Sequence, residues 1–366
     1  MKVINAQVYE SGAFVRRDVY IRDGRIVSED PGTGETIDAE GMYMIPGLVD
    51  VHTHGAAGHD FCDADPEGLK MIAEYEKKSG ITSFCPTSMT FDETRLEKIF
   101  RTAAEFEWTV DRARARVVGI NMEGPFISKS RKGAQNGKYI SAPDIGMFRR
   151  LNDGCGGMIR LVTLAPELPG AEEFIREFPD KVSVGHSDAD YDTAARAFEA
   201  GAAHVTHLFN AMPPFHHRKP GIIGAAAENE NVMVEVICDG LHIHPAMIRS
   251  IFKLFGEDRV ILISDSMEAT GMPDGMYELG GQAVKKTGRR ALLEDGTLAG
   301  SASNLYDCFR NAVSFGIPLA SAVKMATENP ARSIHMEKEI GVIAPGTRAD
   351  LLILNQDLDI VKVISE

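Results

Sequence analysis

The sequence predicts an α/β protein: a (β/α)8 TIM-like barrel with a small β-sandwich domain built from both chain termini. Three observations predict it. Short apolar runs recur through the middle of the chain with helical stretches between them, which is the pattern of a parallel sheet. Histidines and carboxylates close those runs, at the level where a barrel carries its chemistry. Strand patterns also stand at both ends of the chain, outside the alternating region.

At the N-terminus, residues 3–9 and 19–21 read as strands. Asp23-Gly24 marks a hairpin turn into a third strand at 25–27. At the far end, Gly346 to Asp350 leads into the run Leu351-Leu352-Ile353-Leu354. The expected division is therefore residues 1–46 plus 340–366 as the small β domain, and 47–339 as the barrel. Within the barrel, Pro46-Gly47 turns into a short apolar run that ends in His52-Thr53-His54. Further strands are expected at 119–123, 159–163, 182–186, 204–207, 232–237 and 260–265. Helices are expected at 66–79, 192–200 and 245–255. About eight strand–helix units fit a closed barrel better than the rival, a doubly wound open sheet. No G-x-G-x-x-G follows the first strand, which weakens the nucleotide-binding form of that rival.

Composition narrows the function classes. The 366 residues are 44% apolar and 25% charged, as in an ordinary globular protein. Lys and Arg number 39 against 53 Asp and Glu, a net charge of -14, which argues against non-specific nucleic-acid binding. An anionic small molecule stays compatible, because one local cation can supply the field. The five cysteines (Cys62, Cys85, Cys155, Cys238, Cys308) have no paired spacing, so reduced thiols and a cytoplasmic location are expected. No signal peptide, membrane span or membrane partner is expected.

Reading the strand ends in order gives His52 and His54, Glu123, His186, His207, Asp239 with His242, and Asp265. On a strand, His52 and His54 share a face. Imidazole nitrogen with carboxylate oxygen suits Zn²⁺, Fe²⁺, Mn²⁺ or Co²⁺ better than Ca²⁺. A divalent ion acidifies its water and makes hydroxide available near neutrality. Asp265 is placed to take that water's proton and deliver it to a leaving group. Arg218 lies in the basic loop His216-His217-Arg218-Lys219 of an acidic chain, and a guanidinium can hold phosphate through two hydrogen bonds. His216 and His217 read as loop residues.

Several segments together resemble the amidohydrolase superfamily, and within it the deacetylases of N-acetylated amino-sugar phosphates. They are Pro46 to Gly55, Glu123-Gly124-Pro125-Phe126, Lys132 to Asn136, and Gly185-His186-Ser187-Asp188-Ala189. They continue with Thr206 to Met212, Asp239-Gly240-Leu241-His242, Ser264 to Met267 and Leu298 to Ser301. They stand in the family's order and cover nearly the whole chain. The resemblance implies hydrolysis of the acetamide of N-acetyl-D-glucosamine 6-phosphate to D-glucosamine 6-phosphate and acetate, in amino-sugar catabolism and recycling. It implies Glu123, His186 and His207 as principal metal ligands and Asp265 as catalytic acid/base. His242 is implied to polarise the acetyl carbonyl. Asn210, Ala211, Ala134, Gln135, Leu298, Ala299 and Gly300 are implied substrate contacts. Arg218 is implied to reach the phosphate held by a neighbouring subunit, hence a homodimer. Some relatives have His where Gln135 stands. The pair His52 and His54 implies one or two ions per subunit. Alternatives are another N-acyl amino sugar, a cyclic amide, or a non-enzymatic sugar-phosphate or metal sensor on the same fold. No lysine stands in place of Glu123, which disfavours the cyclic amides, and the intact Asp265 disfavours the sensor.

Overall fold

Eight parallel strands form the centre of the computed structural model, which describes residues 1–32, 34–107 and 113–365. They are β1 (Leu48–Thr53), β2 (Ile81–Ser88), β3 (Ile120–Glu123), β4 (Ile159–Leu164), β5 (Val182–Val184), β6 (His204–Val205), β7 (Met233–Ile237) and β8 (Val260–Ile263). Each pairs in parallel with the next. The ring closes between the last and first strands through a parallel bridge of Thr53 with Ser266. There the Asp265 N–H donates to the His52 carbonyl at 2.9 Å and the His54 N–H to the Ser266 carbonyl at 2.8 Å. The buried Asp50 carboxylate stitches the same seam, accepting from the backbone N–H groups of His52 and Ser264.

Helices follow the strands in turn: α1 (Pro66–Lys78), α2 (Glu93–Glu107), α3 (Ile145–Gly154), α4 (Ala171–Glu177), α5 (Tyr191–Ala200), α6 (Gly221–Glu228), α7 (Pro245–Phe255) and α8 (Leu305–Ser314). Their ends are written locally. Asp65 caps α1 by accepting from Glu67 N and Gly68 N, Pro66 opens its first turn, and Lys77 and Lys78 close its last. Two further helices, α9 (Leu319–Ala326) and α10 (Glu328–Ser333), lead back to the terminal sheet. Among the described residues no helix is long and apolar enough to cross a membrane.

Side chains alternate across the barrel wall. Val49, Val51, Cys85, Leu161, Ile261 and Ile263 fill an inner cluster. Leu48, Phe84, Ile120, Val162, Val234 and Leu262 join the outer core that meets the helices. Part of that outer core is aromatic: Phe174 of α4 stacks with Phe126, Phe148 and Phe178 at 5.4, 5.3 and 5.0 Å between ring centres. Phe174 is fully buried, so Phe174→Ala is expected to cost about 3–5 kcal/mol. A fall in the urea midpoint at unchanged denaturant slope would show it; an unmoved midpoint would mean that the cluster is not a stability determinant.

The termini share one sheet. Tyr43–Pro46 pairs with Leu351–Leu354 antiparallel and with Lys2–Glu10 in parallel, and the latter pairs with Ala13–Arg22. The turn expected at Asp23-Gly24 is present, with Arg22 opposite Arg25 and both turn residues at positive φ. A separate core of Val3, Val8, Val19, Ile21, Met44, Leu351 and Ile353 lies against this sheet.

Two elements were not anticipated. The strand β2 has the sequence Ile-Thr-Ser-Phe-Cys-Pro-Thr-Ser, whose polar residues and Pro86 read against a central strand, yet all eight residues are buried. A three-stranded antiparallel sheet, Gly275–Leu279, Gln282–Thr287 and Arg290–Leu292, is inserted after β8. Its Gln282 side chain donates to the Ala134 carbonyl and ties the insert to the barrel rim. The strand runs read as 182–186, 204–207 and 260–265 end two residues early, at Val184, Val205 and Ile263. His186, His207 and Asp265 therefore lie just beyond their strands.

Candidate active site

The chain ends each of these strands in an unusual way. His186, His207 and Asp265 all have positive φ, at 46°, 25° and 49°. Left-handed backbone costs a non-glycine residue about 1–3 kcal/mol and persists only where the surroundings fix it. Here each left-handed residue turns its side chain over the mouth of the barrel, and the three meet.

Glu123, at the end of β3, is the hub. Its Oε1 lies 3.2 Å from His186 Nε2, 3.1 Å from His207 Nε2 and 3.4 Å from His52 Nε2. Its Oε2 lies 3.5 Å from His54 Nε2 and accepts from the Gln135 amide, whose own oxygen is held by the Thr90 N–H at 2.7 Å. Asp265 Oδ1 lies 3.2 Å from His54 Nε2 and 3.6 Å from His52 Nε2. Two groups result, Glu123–His186–His207 and His52–His54–Asp265, each with converging ligand atoms and all buried.

The donor set fits a divalent cation. His186 Nδ1 faces the Arg131 carbonyl at 2.8 Å, His54 Nδ1 faces the Thr87 carbonyl at 3.1 Å, and His52 Nδ1 faces Glu235 at 2.9 Å. Each partner only accepts, so each Nδ1 carries the hydrogen and each Nε2 presents a lone pair to the site. His52 Nε2 is buried with no hydrogen-bond partner among the described residues, a cost that a cation removes. Burial pushes the Glu123 carboxyl up, but the charges of His186 and His52 and the bonds from His186 and His207 hold it well below its ordinary range. Burial raises Asp265 likewise, and its bond to His54 with the neighbouring histidine charges brings it below. Burial lowers His52 and His54. Glu235 and Glu123 nevertheless raise the first, and Asp265 and Glu123 the second, so cation binding competes with protons.

A cavity of about 210 Å³ opens on these groups. Its size suits a monosaccharide and lies below the roughly 300 Å³ floor of drug-sized pockets. His54, Glu123, His186, His207, His242 and Asp265 line it, with Ala134, Gln135, Asn210, Ala211, Leu298 and Gly300. Ala299 is fully buried in the outer core and contributes no wall. Arg218 is exposed in a tight turn where His216 pairs with Lys219, away from this cavity. Among the described residues no Lys or Arg lines the cavity.

His242 is oriented by Asp239. The Asp239 Oδ1 accepts from the backbone N–H groups of Leu241 and His242, and Oδ2 faces His242 Nδ1 at 2.8 Å. Burial lowers His242, but the bond and charge of Asp239 raise it overall. Sequence reading set Asp239 beside His242 at a strand end without giving it a role, and it passed over Glu235. The signal for Glu235 was a lone carboxylate inside the apolar run of β7.

A closed (β/α)8 barrel with two histidine–carboxylate groups at its strand ends has the make-up of a metal-dependent hydrolase. The chain belongs to the amidohydrolase family, whose model matches residues 43–366. It is 37% identical to the N-acetylglucosamine-6-phosphate deacetylase of Bacillus subtilis over 94% of this chain and 90% of that one. It is 32% identical to an N-acetylgalactosamine-6-phosphate deacetylase of Escherichia coli O157:H7, over 97% and 94%. Among solved structures, a mutant N-acetyl-D-glucosamine-6-phosphate deacetylase of Mycobacterium smegmatis, in complex with N-acetyl-D-glucosamine-6-phosphate, aligns with a TM-score of 0.92. It is 33% identical and covers all of this chain and 97% of its own.

Proposed function

We propose that this protein hydrolyses the acetamide of N-acetyl-D-glucosamine 6-phosphate, releasing D-glucosamine 6-phosphate and acetate. The observation that carries the reading is the convergence of both histidine–carboxylate groups and His242 on one monosaccharide-sized cavity. Glu123, His186 and His207 would hold one divalent cation, and His52, His54 and Asp265 could hold a second; such an ion would supply an acidified water and Lewis acidity. Zn²⁺ or Fe²⁺ suits this nitrogen and carboxylate set best, with Mn²⁺ or Co²⁺ as substitutes.

The chain's own groups then move the protons. Asp265 Oδ1 takes a proton from the attacking water as the new C–O bond forms at the acetyl carbon. His242 donates a hydrogen bond to the acetyl oxygen as its charge grows. Asp265 returns the proton to the amide nitrogen, the C–N bond breaks, and acetate and the free amine leave. Asn210, Ala211, Ala134, Gln135, Leu298 and Gly300 provide the surface on which the sugar rests.

A phosphate needs a cation that this cavity's own wall does not provide. Arg218, exposed on its turn, is the group we assign to it, reaching the cavity of a second copy in a cytoplasmic homodimer. A charge-assisted hydrogen bond contributes about 1.5–3 kcal/mol. Arg218→Ala is therefore expected to raise KM for the phosphorylated sugar about 10- to 100-fold. KM for unphosphorylated N-acetylglucosamine should stay unchanged. Equal KM values for wild type and variant on the phosphorylated sugar would remove Arg218 from the site. The decisive assay is acetate release by the metal-loaded protein from N-acetyl-D-glucosamine 6-phosphate, its galactosamine epimer and the unphosphorylated sugar. Preference for the first supports the proposal; no acetate from any of them overturns it.

A further inference from the structure

We propose that Glu235 is a positioning residue that ties the two histidine groups to each other. The inference rests on the reading above that those groups hold divalent cations. Glu235 stands in the middle of β7 and is fully buried inside the barrel, beneath the site. It does not line the cavity, so it touches no substrate. A buried carboxylate is costly unless its oxygens are satisfied. One oxygen of Glu235 is satisfied twice. Its Oε2 accepts from His52 Nδ1 at 2.9 Å and from the backbone N–H of His207 at 3.1 Å. His52 belongs to one candidate metal group and His207 to the other. A single atom thus sets the ring of a ligand in the first group and the backbone of a ligand in the second.

Its backbone does the same. The Glu235 carbonyl accepts from the Leu208 N–H at 2.8 Å, pinning the residue next to His207 where the chain leaves β6 at positive φ. The remaining oxygen, Oε1, has no hydrogen-bond partner among the described residues and lies 3.7 Å from His204 Nε2. His204 is buried and both its ring nitrogens lack hydrogen-bond partners there. The hydrogen bonds that satisfy the carboxylate therefore come from the site side, from the His52 ring and the His207 backbone.

A carboxylate behind a ligating histidine fixes the tautomer, holds the ring and makes the ligand more basic. Removing such a partner typically weakens metal binding about 10- to 100-fold. Because Oε2 serves both groups, Glu235→Gln should weaken both zinc equivalents. The substitution keeps the shape and an accepting oxygen but removes the charge.

The test is a zinc titration of the chelator-treated full chain against a competing chromophoric chelator, for wild type and Glu235→Gln. Cobalt(II) absorption spectra of both proteins report ligand geometry. The expected result is a loss of about 10- to 100-fold in affinity at each equivalent, with a changed cobalt band and an unfolding midpoint without metal close to wild type. Wild-type affinity at either equivalent overturns the coupling. Should the variant fail to fold, proton–nitrogen NMR of histidine-labelled wild type replaces it. A hydrogen on His52 Nδ1, protected from exchange, supports the proposal, and its absence overturns it. A wild-type protein that binds zinc but releases no acetate sinks the deacetylase reading alone. A fully active Glu235→Gln with wild-type zinc affinity sinks this inference alone.

Discussion

Asp265→Asn is expected to lower kcat by about 10²- to 10⁴-fold, the range for loss of a general acid–base catalyst. The upper end is the more reasonable, because one carboxylate serves both proton transfers. Asn has the same shape and cannot take a proton. The backbone features that place the residue, its N–H to the His52 carbonyl and its left-handed conformation, do not involve the carboxylate. The variant should therefore fold as wild type does. Metal analysis is expected to show the ion at Glu123–His186–His207 retained and binding at His52–His54–Asp265 weakened, since only the latter loses a charged oxygen. Turnover near wild type in Asp265→Asn, with metal bound, would falsify its catalytic role.

Most of this centre was legible because its chemistry is carried by rare residue types at strand ends. His52, His54, Glu123, His186, His207 and Asp265 come from five different strands, yet barrel geometry alone sends strand ends to one mouth. What escaped reading escaped for physical reasons. The strand β2 interrupts Ile81, Phe84 and Cys85 with Thr, Ser and Pro86, so it shows no apolar run, and its burial is set by its neighbours in the ring. The inserted three-stranded sheet did have a local signal. Gly280-Gly281 stands between Leu279 and its partner Gln282, with both glycines at positive φ, as a two-residue hairpin requires. Glu235 was hidden differently. It acts on a histidine, and partnership between side chains 183 residues apart, as for His52 and Glu235, has no periodicity to betray it. Ala299 differs from its neighbours: Leu298 and Gly300 line the cavity, while Ala299 packs into the core where the chain bends at Gly300, which has positive φ.

His242→Ala is expected to cost about 10²- to 10³-fold in kcat, as for loss of one donor to a developing oxyanion. The reasoning turns on where the imidazole keeps its hydrogens. Asp239 only accepts, so the Nδ1 of His242 must carry one. A neutral ring then presents a lone pair at Nε2, which repels the acetyl oxygen. Only the doubly protonated ring donates from both nitrogens. Asp239 favours that form by raising His242 above its ordinary value. The wild-type rate is therefore expected to fall as pH rises through this raised value, and His242→Ala should lose that alkaline limb along with the rate. Asp239→Asn separates the two requirements. The Asp239 Oδ1 holds two backbone N–H groups, so in the variant the amide oxygen stays there and the amide N–H turns to His242 Nδ1. The neutral ring would then carry its hydrogen on Nε2 and could donate at any pH. The alkaline limb should flatten while the rate settles between those of wild type and His242→Ala. A pH–rate profile with the same alkaline limb in all three proteins would show that His242 does not act as a charged donor.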